Sequence, residues 1–158
     1  MPPDVRFHFL DPGPLCDGDL TLKLTRRADA DAALGRLPSY WFTLRAREVS
    51  VGMINLRVGH TPELERFDGH LGYTVYPPYR GHHYACRACR LLLPLAAAHG
   101  LDPVWITCDP DNVASRRTCE ALGAVFVDFV HRRPTIGLTV EGEARKCRYR
   151  LDVKAMKL

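Results

Sequence analysis

Leu20-Thr21-Leu22-Lys23-Leu24-Thr25 alternates apolar and polar residues with a period of two, which predicts a strand with one buried face. Tyr40–Leu44 and Val49–Val58 read as two further strands, antiparallel and joined at Arg45-Ala46-Arg47-Glu48. Before them, residues 28–36 leave room for one short helix ahead of Pro38. Residues 59–67, from Gly59 to Phe67, show no period and read as a loop long enough to have a functional use. Leu71–Val75 is a fourth strand, stopped by Pro77-Pro78. The period then lengthens: Ala85, Ala88, Cys89, Leu92, Leu95 and Ala96 fall on one face of a main helix over 82–99 that ends near Gly100. Pro94 lies inside it and deletes the bond to the carbonyl of Arg90, at ~3 kcal/mol in a free helix, so a kink or early end is expected. Val104–Thr107 is a fifth strand, and 113–122 a short helix with Gly123 as its C-terminal cap. Val125–Val130 and Cys147–Val153 close the pattern as an antiparallel pair around a loop from Arg132 to Glu143. The order predicts an α/β (α+β) architecture, a mixed, mostly antiparallel twisted sheet of about six or seven strands with helices on both faces.

Arg80-Gly81-His82-His83-Tyr84-Ala85 stands where the fourth strand turns into the main helix. A tight, glycine-relieved turn leaves several N–H groups unpaired at the helix start, and the positive end of the helix dipole adds to them. Arg80 sets a forked cation beside these donors, so the loop suits a phosphate or pyrophosphate. By itself an arginine and a glycine at a helix start is also an ordinary turn.

The flanking stretches narrow this. Upstream is His70-Leu71-Gly72-Tyr73-Thr74-Val75-Tyr76-Pro77; downstream are Val104-Trp105-Ile106-Thr107-Cys108-Asp109-Pro110-Asp111-Asn112-Val113-Ala114-Ser115 and Leu122-Gly123-Ala124. In that order and spacing the second half of the chain resembles the GNAT superfamily of N-acetyltransferases: strand, Q/R-x-x-G-x-G/A loop, helix, strand, N-x-x-S, short helix, L-G. The resemblance implies a sheet splayed between the fourth and fifth strands, with acetyl-CoA entering the gap. It implies that Arg80, Gly81, His82, His83, Tyr84 and Ala85 hold the pyrophosphate. Tyr73 and Val75 would meet the pantetheine arm on one side, Asn112 and Ser115 on the other. Two departures stand out: the middle glycine of the loop is His83, and the tyrosine usual four residues after the serine is Cys119. The family also carries two helices between its first two strands, where this chain has room for about one, so the acceptor pocket is expected to be open.

With 158 residues, 46% hydrophobic and 25% charged, the chain has the size and composition of one folded domain, 1–158. The N-terminal stretch lacks a long apolar run, so a cytoplasmic protein without a membrane span is expected. Its six cysteines are scattered and read as reduced thiols. Cys86-x-x-Cys89 falls inside the helix without a second pair and reads as packing, with no metal site expected. Net charge is +4, and the dense basic stretch Arg145–Arg150 reads as a solvated strand face rather than a nucleic-acid site.

For chemistry, acetyl transfer needs a neutral amine, an oxyanion site and a proton for the leaving thiolate. The resemblance implies that the Val75 N–H meets the thioester carbonyl. His70, where some members carry a carboxylate, is the candidate base, with Glu63 and Glu65 as rivals and a surface histidine as the plain alternative. Cys119 is the candidate acid, with a buried structural thiol as its alternative. Asn112 also reads as a helix N-cap, and Arg87 and Arg90 as reaching a second phosphate or merely solvated. The expectation is direct transfer of acetyl to a primary amine of a small molecule or peptide. The alternative is a non-catalytic acyl-CoA-binding sensor or scaffold; a homodimer stays open.

Overall fold

The computed structural model describes residues 6–132, 144–156 and 158. The expected loop with Pro134, Gly137 and Gly142 lies outside the described residues. Five strands form a sequential antiparallel meander: β1 (Leu15–Asp17), β2 (Leu20–Ala28), β3 (Ser39–Ala46), β4 (Val49–Arg57) and β5 (Leu71–Val75). After the helix α1 (Tyr84–Ala98) come β6 (Val104–Cys108), α2 (Val113–Leu122), β7 (Val125–Arg132) and β8 (Ala144–Leu151). These last strands form a second antiparallel sheet in the order β6-β8-β7. The described residues therefore hold eight strands rather than six or seven, the short β1 being the addition.

Residues 28–36 form no helix: Asp31 pairs with Arg36 across a turn, and the Asp31 carboxylate accepts the N–H of Leu34. Alanines supply helix propensity but no apolar stripe, and Leu34 is 62% exposed. Residues 64–68, expected as loop, make one wide helical turn. Pro94 does not end α1, which continues to Ala98.

Register sorts the side chains onto two faces. Tyr40, Phe42 and Leu44 of β3 stand beside Leu56 and Ile54 of β4, all buried against Ala88, Cys89, Leu92 and Leu93 of α1. Helix α2 packs against α1, and Tyr73 of β5 reaches it through Ser115. The outer face carries Lys23, Trp41, Thr43, Met53 and Thr74, and Met53 is 39% exposed there. No helix among the described residues is long and apolar enough to cross a membrane. The basic strand β8 is neutralised by neighbours: Arg148 pairs with Asp128 at 2.9 Å and Lys146 with Asp109 at 2.7 Å.

Strands β5 and β6 splay apart from a closed end. There the β6 backbone passes so near Gly69 that a Cβ would stand 3.0 Å from the Trp105 carbonyl oxygen and 3.1 Å from the Thr107 nitrogen. His70 joins the strands, its own N–H donating to the Trp105 carbonyl at 2.7 Å. Beyond this point the two sheets are not paired as strands.

Candidate functional site

The free edge of β5 follows from alternation. Arg57 N–H donates to the His70 carbonyl and Tyr76 N–H to the Val51 carbonyl. In an antiparallel ladder the bonded residues alternate, so the His70 carbonyl, both backbone groups of Gly72 and Thr74, and the Tyr76 N–H turn toward β4. The N–H and C=O groups of Leu71, Tyr73 and Val75 then point into the gap. The Val75 carbonyl accepts from Arg80 Nε at 3.0 Å, which draws Arg80 to the mouth of that gap.

Beyond β5, Pro77–Tyr79 make a single tight turn, and the chain enters α1 through two left-handed residues, Gly81 (φ 97) and His83 (φ 58). His83 thus takes the conformation that a glycine adopts without strain, where the family pattern has one. The first helical bond in α1 is Arg87 N–H to the His83 carbonyl. The N–H groups of Tyr84, Ala85 and Cys86 therefore have no helical partner, and the His83 side chain does not cap the helix start. His82 and His83 are exposed there, and the His82 ring lies 5.2 Å from that of Tyr84. Arg87 is not free for a phosphate: it binds Asp17 at 2.8 Å and Asp19 at 2.7 Å. Arg90 instead donates to the Ala121 carbonyl at 2.8 Å, at the end of α2.

Across the gap, Asn112 caps α2 by accepting the Ser115 N–H at 3.1 Å. Tyr73 reaches over from β5, its hydroxyl 2.7 Å from Ser115 Oγ. Cys119 lies beneath, fully buried, with Cys108 of β6 in hydrogen-bond reach of Cys119, Ser115 and Cys147. Contact with Cys108 and burial push the Cys119 thiol far up, while donation from Cys119 draws Cys108 down. Burial likewise pushes the Tyr73 phenol up, so it stays protonated. Tyr73, Cys108, Asn112 and Ser115 line a cavity of about 410 Å³ between β5, β6 and α2, and Cys119 lies outside its lining. The structure thus brings Tyr73, Asn112 and Ser115 together at one wall of the gap.

His70 has a different setting from the accessible imidazole that a base requires. It is fully buried. Its Nδ1 accepts the Trp105 N–H at 2.9 Å, so the proton sits on Nε2, which donates to the Gly59 carbonyl at 2.9 Å. Burial lowers its pKa and keeps it neutral. Glu65 turns toward His60, 3.6 Å away, and neither it nor Glu63 lines the cavity. The carboxylates that do are Asp68 and Asp109, and Asp109 is tied to Lys146. Sequence reasoning passed over Asp68 and Cys108. Asp68 is two residues from His70 and Cys108 four from Asn112, but their entry into the cavity depends on contacts across the fold.

The family model for the acetyltransferase (GNAT) domain matches residues 3–125. The chain belongs to the GNAT acetyltransferase family. No curated protein matches it in sequence. Among solved structures the fold is similar to the microcin C7 self-immunity acetyltransferase MccE in complex with acetyl-CoA and AMP. That match has a TM-score of 0.58 and 14% identity, over 72% of this chain and 61% of that one. It is similar also to the ribosomal-protein-S5-alanine acetyltransferase of Vibrio fischeri, at TM-score 0.58 and 18% identity, over 76% and 64%. A third is the ribosomal L7/L12 α-N-protein acetyltransferase RimL in complex with coenzyme A, at 0.59 and 12%, over 75% and 64%. The chain thus spans 61–64% of the length of these three proteins. The GNAT splay lies between residues 71–75 and 104–108, β5 and β6 once β1 is counted.

Proposed function

We propose that this chain is an acetyl-CoA-dependent N-acetyltransferase, moving acetyl directly to a primary amine of a small molecule or peptide. One observation carries the reading: the edge of β5 that has no strand partner among the described residues faces the capped start of α2 across an open gap, with a protonated tyrosine hydroxyl between them. The pantetheine arm bonds the Tyr73 and Val75 backbone on one side and Asn112 and Ser115 on the other. Its pyrophosphate sits on the N–H groups from Gly81 to Ala85, with Arg80, His82 and His83 around it. The amine nitrogen attacks the thioester carbon, and the Val75 N–H stabilises the oxyanion. As the C–S bond breaks, the CoA thiolate takes a proton from Tyr73, which stands in for the tyrosine replaced by Cys119. The amine's proton leaves through Asp68 or water. His70 acts as a positioning residue that holds the closed end of the gap.

The experiment mixes the protein with acetyl-CoA and a broad amine panel and detects acetylated product by mass. Tyr73→Phe should lower kcat about a hundredfold, on the order expected for loss of a general acid, with acetyl-CoA affinity unchanged. An unchanged kcat removes Tyr73 from the reaction. The alternative, an acyl-CoA-binding module without turnover, draws support from the full engagement of both His70 nitrogens. It predicts a thermal shift with acetyl-CoA and no product from any amine.

A further inference from the structure

The outer face of the five-stranded sheet carries a groove of about 200 Å³ whose lining includes Trp41, Met53, Asn55 and Thr74. Gly72 and Tyr73 of β5 contribute to both this groove and the cavity between β5 and β6, so one strand separates the two spaces. Asn55 is 4% exposed, and its Nδ2 has no hydrogen-bond partner among the described residues. A buried donor left unpaired costs about 1–3 kcal/mol, and folded proteins hold few of them. Oδ1 stands 2.5 Å from the point where a Cβ on Gly72 would be, so the amide packs directly against the β5 backbone at a position open only to glycine.

The other polar side chain in the groove, the Thr74 hydroxyl, makes no hydrogen bond to Nδ2. The Trp41 indole N–H is already donated to Ser39 Oγ at 2.9 Å, which leaves its ring as an apolar wall beside Asn55, its partner across the β3–β4 ladder. One unpaired donor between apolar walls fits a neutral hydrogen-bond acceptor with a hydrocarbon substituent, and a carbonyl oxygen is that group.

We propose that this groove is the acceptor subsite and that Asn55 bonds a carbonyl adjacent to the reacting amine. The acceptor is then an α-amino amide, the chemistry of a peptide N-terminus, and not a simple alkylamine or polyamine. The inference rests on the acetyl-transfer reading and adds the class of amine.

The test compares alaninamide with pentylamine, an amine without a carbonyl, in wild type and Asn55→Ala. Taking the wild-type to variant ratio for each amine cancels their different basicities. Asn55→Ala should lower kcat/KM about tenfold or more for alaninamide and less than twofold for pentylamine. Equal losses, or none, overturn the proposal. A second arm needs neither turnover nor a folded variant: the side-chain amide signals of Asn55 in the CoA-saturated wild-type protein are followed by NMR. Alaninamide should shift them in a saturable way and pentylamine should not. If no amine is acetylated but this shift is seen, the transfer reading fails and the subsite stands; if alaninamide leaves the signals unmoved, the subsite is overturned.

Discussion

Replacing His70 by Gln separates a clamp from a base. The imidazole accepts one backbone N–H and donates to one backbone carbonyl, each at 2.9 Å, in a fully buried position. A glutamine amide can satisfy one of these partners and not both, so a buried group is left unpaired at about 1–3 kcal/mol. Acidity adds a second signature. Burial holds the folded imidazole below its ordinary value, whereas in the unfolded chain it titrates near about 6.5. The unfolded state therefore binds more protons as the pH falls below that point. The stabilisation is present above it and is lost toward the folded pKa, by up to about 1.4 kcal/mol per pH unit in between. His99, also depressed by burial, contributes with the same sign, so the informative quantity is the difference between wild type and variant. Urea unfolding at neutral pH should find His70→Gln less stable by about 1–3 kcal/mol, and the difference should narrow on acidification to below pH 6. Hydrogen exchange at the Trp105 amide should accelerate in the variant. Equal stability at both pH values, together with collapse of acetyl transfer, would refute the clamp and make His70 a base.

Three further outcomes follow from the geometry. His83→Gly should raise stability by up to about 1 kcal/mol in urea unfolding, because relief of the left-handed backbone, about 1–2 kcal/mol, outweighs the added freedom of a glycine, about 0.5–1 kcal/mol; a net loss would mean that the imidazole makes contacts worth more than the strain. Cys119→Ala should cost about 1 kcal/mol of stability, as is typical of a buried truncation, and leave turnover within about threefold; a hundredfold fall in kcat would make the thiol the proton donor. Gly52→Ala should cost more than about 1 kcal/mol, read as a lowered urea midpoint, because the new Cβ would lie 2.2 Å from the Thr74 carbonyl oxygen, a backbone atom that cannot swing aside; an unchanged midpoint would contradict the β4–β5 register.

What was legible in the sequence was whatever local chemistry fixes. Helix α2 runs over 113–122 with Asn112 and Gly123 as caps, as their side-chain chemistry and backbone freedom demand. Strand β5 ends before Pro77-Pro78 for a similar reason. The segment 28–36 misled because propensity suggests a helix, while the structure decides by whether there is an apolar face to bury. At the candidate site, what escaped was set by partners distant in the chain. The burial of His70 depends on Gly59 and on Trp105, 35 residues away. The Tyr73–Ser115 contact spans 42 residues, and Arg87 is claimed by carboxylates 68 and 70 residues before it. No periodicity encodes such pairs.

The sequential order of β1 to β5 bears on how the chain emerges during synthesis. Each of these strands pairs with its neighbour in sequence, so the whole sheet can close hairpin by hairpin before residue 84 has left the ribosome. One side of that nascent sheet, with Leu20, Tyr40, Phe42, Leu44, Ile54 and Leu56, is then bare apolar surface until α1 arrives to cover it. That interval is when the chain is most exposed to aggregation and to chaperone capture, and slowing synthesis while α1 is still inside the ribosome would lengthen it.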